Sequence, residues 1–274
     1  MIYLYAYTNH KSNLDSLRRV VAIYDALKKE NLECEILLNE YRAQLLLKEW
    51  GLPLGTTIET IKDIDAVAKK DDIIVIDSPE EIEGKVVTYP QKFKGVIYIN
   101  SLCKVVDFIG ANVINIALDK KPIFRELNSS QKKEPKSIFI YGDSDPDKTI
   151  LKNSEIFKNK NLDLYWGIYF YVKYEDDLAK IFNEIKESEE YYEILSQYQN
   201  IYTSSLQVAI EAKANNAFVE FLELKELERC HRELLESLNI NIVKDITSTN
   251  TTKFQIEKLN NFDYEIINII KTYV

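Results

Sequence analysis

From Asp72 to Asp77 the chain reads DIIVID, four apolar residues closed at both ends by carboxylates. Short runs of the same kind recur at Ile2–Tyr7, Glu33–Leu38, Lys85–Val87, Gly95–Ile99 and Ala111–Leu118. A short run that is apolar throughout, rather than alternating, fits a strand buried on both faces of a parallel sheet. Between the runs lie segments of helical period. Leu17, Val20, Val21, Tyr24 and Leu27 share one face of Ser16–Glu30, and Ala43–Glu49 predicts a second helix that stops at Trp50-Gly51-Leu52-Pro53. Parallel strands need crossover connections, so strand–helix alternation predicts an α/β domain.

The alternation pauses at Asp119-Lys120-Lys121-Pro122 and at Asn128-Ser129-Ser130-Gln131-Lys132-Lys133-Glu134-Pro135, both polar, and then restarts. Ser137–Tyr141 predicts a strand, Gly142–Asp147 a turn and Lys148–Lys158 a helix. Leu164–Val172 is an apolar, aromatic run that fits strand or core, and Asp176–Glu190 reads as a helix with an acidic outer face. Asn200–Thr203 ends a strand, Ser205–Asn215 is helical, Ala217–Glu223 is a strand and Phe254–Tyr273 a closing helix. The expected organisation is two doubly wound, Rossmann-like α/β domains at 1–118 and 137–252, a linker at 119–136 and a C-terminal helix at 253–274. Doubly wound domains take ligands at the carboxyl ends of their strands, so the loops after Tyr7, Asp77, Tyr141 and Thr203 are the expected seat of chemistry, at a cleft between the domains.

Composition narrows the chemistry. The chain has 274 residues, 35 Lys+Arg and 44 Asp+Glu, a formal charge of −9. An acidic chain is not a general nucleic-acid or anionic-membrane binder. No apolar run reaches the ~20 residues that span a bilayer, and MIYLYAYTNH has no basic region ahead of its apolar residues, so it reads as a first strand of a cytoplasmic protein. Cys34, Cys103 and Cys230 are an odd, widely spaced set without CxxC, and there are two histidines, so no metal centre or cofactor is expected. Seven glycines, none after Gly167, leave no Walker A or GxGxxG loop. A phosphate would have to be held by a helix N-terminus bearing Ser or Asp.

Three segments carry a family pattern. FIYGDSDPDKTILK resembles the GGSDPxxxT segment of the UDP-sugar hydrolase of pseudaminic acid biosynthesis. SLRRVVAIYDALKKENLECEIL resembles that family's first helix, with Arg19 on its motif arginine, and DIIVIDS, with Asp77, resembles a first-domain strand. The resemblance implies a GT-B-like fold and a nucleotide sugar as ligand, UDP-linked in preference to CMP-linked, in surface or flagellar glycan synthesis. It also implies cleavage of an anomeric C–O bond by water, with a further glycan-pathway protein as partner.

Two departures stand out. The family's GxGH turn falls on Asn13, Leu14, Asp15 and Ser16, so Ser16 replaces the histidine base, with Asp15 and His10 the nearby substitutes. Asp143 replaces the second glycine, and a carboxylate there repels pyrophosphate unless it turns away to cap the following helix. By resemblance Arg19 and Asp77 face the sugar, while Ser144, Asp145, Ser204, Ser205 and Glu211 hold the nucleotide, Glu211 on the ribose. The turn Thr203-Ser204-Ser205 is equally similar to the Ser-Ser element of GT-B sialyltransferases, which leaves a glycosyltransferase open. The lost histidine and glycines leave a non-catalytic binding partner open as well.

Overall fold

The computed structural model describes residues 1–11, 13–127, 132–246 and 259–274. Residues 128–131 of the expected linker, and 247–258 where the second domain was expected to end and the C-terminal helix to begin, lie outside the described residues. The chain divides into two compact units, Met1–Arg125 with Asn260–Val274, and Glu126–Leu259.

In the first unit, β1 (Ile2–Ala6), β2 (Cys34–Leu38), β3 (Thr56–Thr57), β4 (Ile73–Asp77), β5 (Gly95–Asn100) and β6 (Asn112–Asn115) form one sheet. Its order is β3-β2-β1-β4-β5-β6, parallel throughout. Helices α1 (Asp15–Lys29), α2 (Tyr41–Glu49), α3 (Ile64–Val67) and α4 (Tyr89–Lys92) connect the strands. All five residues of β4 are buried, as its unbroken apolar run requires. One core packs Tyr5, Leu37, Ile74 and Ile76 from the sheet against Ile61, Ile64, Tyr89 and Phe93.

The second unit repeats the plan. Strands β7 (Glu134–Ile140), β8 (Asp163–Tyr165), β9 (Ile185–Lys186), β10 (Tyr198–Thr203), β11 (Phe218–Leu222) and β12 (Asn241–Val243) run parallel in the order β12-β11-β10-β7-β8-β9. Its helices are α5 (Thr149–Lys152), α6 (Ser154–Phe157), α7 (Glu175–Leu178), α8 (Tyr191–Gln197), α9 (Leu206–Ala214) and α10 (Arg229–Ser237). Phe139, Phe157 and Phe182 pack together in its core, with 4.6 Å between the first two ring centroids. The last helix, α11 (Asp263–Lys271), belongs to the first unit, where Lys271 pairs with Glu30 and Tyr273 Oη accepts from Asn112 Nδ2 at 2.6 Å.

Asparagine replaces glycine at the helix ends. After α1, Asn31 sits at φ 58° and Leu32 N donates back to Leu27 O. After α9 and α10, Asn216 (φ 62°) and Asn239 (φ 54°) do the same, with Ala217 N on Ala212 O and Ile240 N on Leu235 O. Asparagine is the non-glycine residue that tolerates this left-handed position. The doubly wound fold is thereby built with few glycines.

Three expected elements differ. Lys85–Val87 is no strand but part of a 3₁₀ turn, Gly84–Thr88, because only Val86 finds cover and Pro90 opens α4. The helix expected over Lys148–Lys158 breaks into α5 and α6 at Asn153, whose side-chain N–H donates to Thr149 O at 2.8 Å. Over Asp176–Glu190 α-helix persists only in α7, with a 3₁₀ turn at Ser188–Glu190, since Ile185 and Lys186 pair with β8 as an edge strand. Edge strands of two or three residues such as β3, β9 and β12 are too short to show a period.

The asparagine caps give a stability test. Asn216→Ala should lower stability by about 1 kcal/mol, and Asn216→Gly should match or exceed the unchanged protein, both read from thermal unfolding. Equal melting for Ala and Gly would show that the left-handed position carries no cost.

Candidate functional site

In both sheets the strand order reverses beside the first strand, between β1 and β4 and between β7 and β10. Loops leave such a switch point in opposite directions and open a crevice at the carboxyl edge. The four loops singled out in the sequence are the four at these crevices.

In the first unit Tyr7 N donates to Asp77 O at 3.1 Å, joining the two loops. Arg19, on the inward face of α1, donates to Asp77 through Nε (2.7 Å) and Nη2 (2.9 Å), and also reaches Ser16 Oγ at 3.3 Å. Arg19 and Asp77 are 4% and 2% exposed, so the two expected sugar contacts hold each other as a buried bidentate pair. Asp15 opens α1 and pairs with buried Arg18 at 3.2 Å. His10 stands exposed in the turn closed by the Asn9–Asn13 bridge.

Glu80, which the sequence reading missed, sits beside this crevice and accepts from Tyr5 Oη (2.7 Å), Ser78 Oγ (2.9 Å) and Ile61 N (3.2 Å). Burial and the Glu80 charge push the Tyr5 phenol far up, so it stays a donor. The signal was available in DSPEE, an acid placed just past a strand's carboxyl end.

In the second unit Ser204 N donates to Ile140 O at 3.2 Å, joining the loops after β7 and β10. Ser205 caps α9, its Oγ accepting from Val208 N at 3.3 Å, and Thr203 Oγ1 accepts from Ser205 N at 3.0 Å. Ser204 Oγ donates to Leu222 O at 2.6 Å, which pins this turn to β11. Asp145 caps α5, accepting from Thr149 N (2.7 Å), Ile150 N (2.9 Å) and Tyr174 Oη (2.9 Å). Burial and Asp145 raise the Tyr174 phenol. Ser144, between Asp143 and Asp145, makes no side-chain hydrogen bond among the described residues.

The expectation that Asp143 turns away by capping a helix needs correction. The cap is Asp145, while Asp143 turns inward, wholly buried, and accepts from Tyr165 Oη at 3.0 Å. Glu211 is turned into the interior rather than to solvent. It lies six residues beyond Ser205, about 9 Å along α9 at 1.5 Å per residue, wholly buried and accepting from Tyr191 Oη at 2.5 Å. Beyond β11 and β12 a groove of about 1020 Å³ is lined by Asn153, Glu223, Lys225, Arg229, Arg232 and Lys244. Lys225 ties it to the loop after β7 through Asp147 at 2.9 Å. The acids of both crevices are held by arginine, tyrosine and backbone donors rather than grouped as metal ligands.

No protein-family profile matches the chain, and no curated protein matches it in sequence. Solved structures do match in fold. UDP-GlcNAc 2-epimerase from Methanocaldococcus jannaschii matches at TM-score 0.56 and 13% identity over 100% of this chain and 99% of that one. The same enzyme in complex with UDP-GlcNAc and UDP gives TM-score 0.58 at 12% identity over all of both chains. A putative UDP-N-acetylglucosamine 2-epimerase from Listeria monocytogenes gives 0.51 at 10% over 98% and 88%. The chain has a two-domain, Rossmann-like α/β fold of the GT-B-like kind. Among the described residues no helix is long and apolar enough to cross a membrane.

The Arg19–Asp77 pair yields a direct test. Arg19→Met leaves a buried carboxylate without its partner and should cost about 3–5 kcal/mol, whereas Arg19→Met/Asp77→Leu should recover much of the loss in urea unfolding. A single variant as stable as the unchanged protein would show that the pair is not a structural element.

Proposed function

We propose that this chain binds a nucleotide sugar, with the diphosphate at the β7/β10 crevice of the second unit. What carries the reading is the pairing of β7 with β10, which sets the loop that bears Ser144 beside the turn that leads into the Ser205-capped N-terminus of α9. A helix N-terminus offers N–H groups and a positive dipole end to an anion. The fold's likeness to an enzyme crystallised with UDP-GlcNAc and UDP supports uridine over cytidine. In this reading Asp145 and Ser204 shape the two loops, through the α5 cap and the bond to Leu222, and Ser144 and Ser205 meet phosphate. Glu211 reaches a ribose only if Tyr191 releases it.

The finer reading is a cytoplasmic hydrolase of a UDP-linked diacetamido sugar in the pseudaminic acid branch of surface or flagellar glycan synthesis. Water attacks the anomeric carbon, the C–O bond to UDP breaks, UDP leaves with the electron pair, and a base takes the water proton. His10 is the candidate base, since a neutral imidazole carries a ring nitrogen that can accept a proton. A second, non-catalytic reading draws on the first unit's acids. Asp15 is paired with Arg18 and Asp77 with Arg19, so neither is presented as a proton acceptor.

Calorimetric titration with UDP, CMP and their sugar conjugates tests this. Saturable UDP binding is expected, weakened by Ser144→Ala and Ser205→Ala by about tenfold or more each, the value of one charge-assisted hydrogen bond. If the protein hydrolyses the conjugate, His10→Ala should slow UDP release by about 10²–10⁴-fold. Preference for CMP, or transfer of the sugar to an acceptor, would favour the glycosyltransferase, and binding without turnover the non-catalytic form. No binding of any nucleotide would overturn the proposal.

A further inference from the structure

We infer that Tyr165 is a positioning residue for phosphate binding: it holds the Asp143 carboxylate beneath the loop after β7, so that the loop's outer side can accept an anion. The inference deepens the nucleotide reading above and rests on it.

Asp143 is the third residue past β7, next to Ser144 at the crevice. A carboxylate so close to a diphosphate repels it strongly where water is excluded. Here the side chain points away from solvent and is wholly buried. Tyr165, the last residue of β8, supplies the hydroxyl that receives it at 3.0 Å. The backbone is fixed as well. Asp143 O accepts from Tyr169 N at 2.9 Å, and a Cβ on Gly167 would fall 2.4 Å from the Asp143 backbone, so only glycine permits the approach.

The same scaffold continues behind the second loop. The Tyr165 ring meets Tyr191 edge-on, 5.7 Å between centroids, and Tyr191 Oη donates to Glu211 of α9 at 2.5 Å. Two carboxylates near the two loops are thus turned inward onto two touching tyrosines. With Asp143 held below, the loops that leave β7 and β10 offer Ser144 and the N-terminus of α9, both suited to phosphate.

The experiment titrates UDP and uridine into the full chain. The unchanged protein is expected to bind both, UDP more tightly. Tyr165→Phe keeps the ring and removes the hydroxyl. It should weaken UDP about tenfold and leave uridine within about twofold, because the released charge acts on the diphosphate alone. Asp143→Asn/Tyr165→Phe should restore UDP to within about threefold of the unchanged protein. Parallel loss of UDP and uridine, unchanged UDP binding, or no recovery in the double variant would overturn the inference. If Tyr165→Phe does not fold, the double variant decides alone. Folding and near-normal UDP binding support charge management, and failure of either refutes it. An unchanged protein that binds neither ligand overturns the nucleotide reading and this inference together, whereas UDP binding indifferent to Tyr165 overturns only the inference.

Discussion

Parallel pairing beside the first strand of each sheet is the constraint from which the rest follows. Because β1 lies between β2 and β4, and β7 between β8 and β10, all carboxyl ends face one edge of their sheet and connections depart to both sides. The crevice this leaves is a property of strand order, present before any side chain is chosen. The side chains then decide what it can do. In the first unit a buried Arg19–Asp77 pair backs the crevice, and in the second Ser205 caps α9 where it follows β10.

A chain with seven glycines must solve two problems that glycine usually solves. Helix ends need a left-handed residue, and asparagine provides it at Asn31, Asn216 and Asn239. In the loop after β7, at the position that by resemblance takes glycine, Asp143 stands instead, wholly buried, and its charge has to be accommodated. Tyrosine does that here and elsewhere: Tyr5, Tyr165, Tyr174, Tyr191 and Tyr198 donate to Glu80, Asp143, Asp145, Glu211 and Asp163. All five rings are at most 2% exposed. A buried carboxylate without donors is costly, and a hydrogen bond to a charged group is worth about 1.5–3 kcal/mol. Five of the 18 tyrosines are thus explained as donors to buried or half-buried acids rather than as stacking surfaces.

Much of the fold was legible because apolar runs and helical periods are local signals. DIIVID, SIFIY and the stripe from Leu17 to Leu27 fall on β4, β7 and α1. The break at Asn153 and the edge strands β9 and β12 were not, since they depend on a side-chain cap and on a neighbour distant in sequence. The site was legible as loops but not as partnerships. Sequence marks Arg19 and Asp77 separately; only folding reveals that they satisfy each other across 58 positions. Tyr165 and Tyr174 escaped for the same reason, as each matters through a partner far along the chain.

The central claim is that the β7/β10 crevice of the second unit receives a uridine diphosphate. Amide hydrogen exchange with and without UDP tests it most directly. The account predicts added protection in residues 142–149 and 203–208, where the loops leave β7 and β10 and α9 begins. Protection absent from both segments at saturating UDP, or confined to the groove beyond β11 and β12, would contradict it.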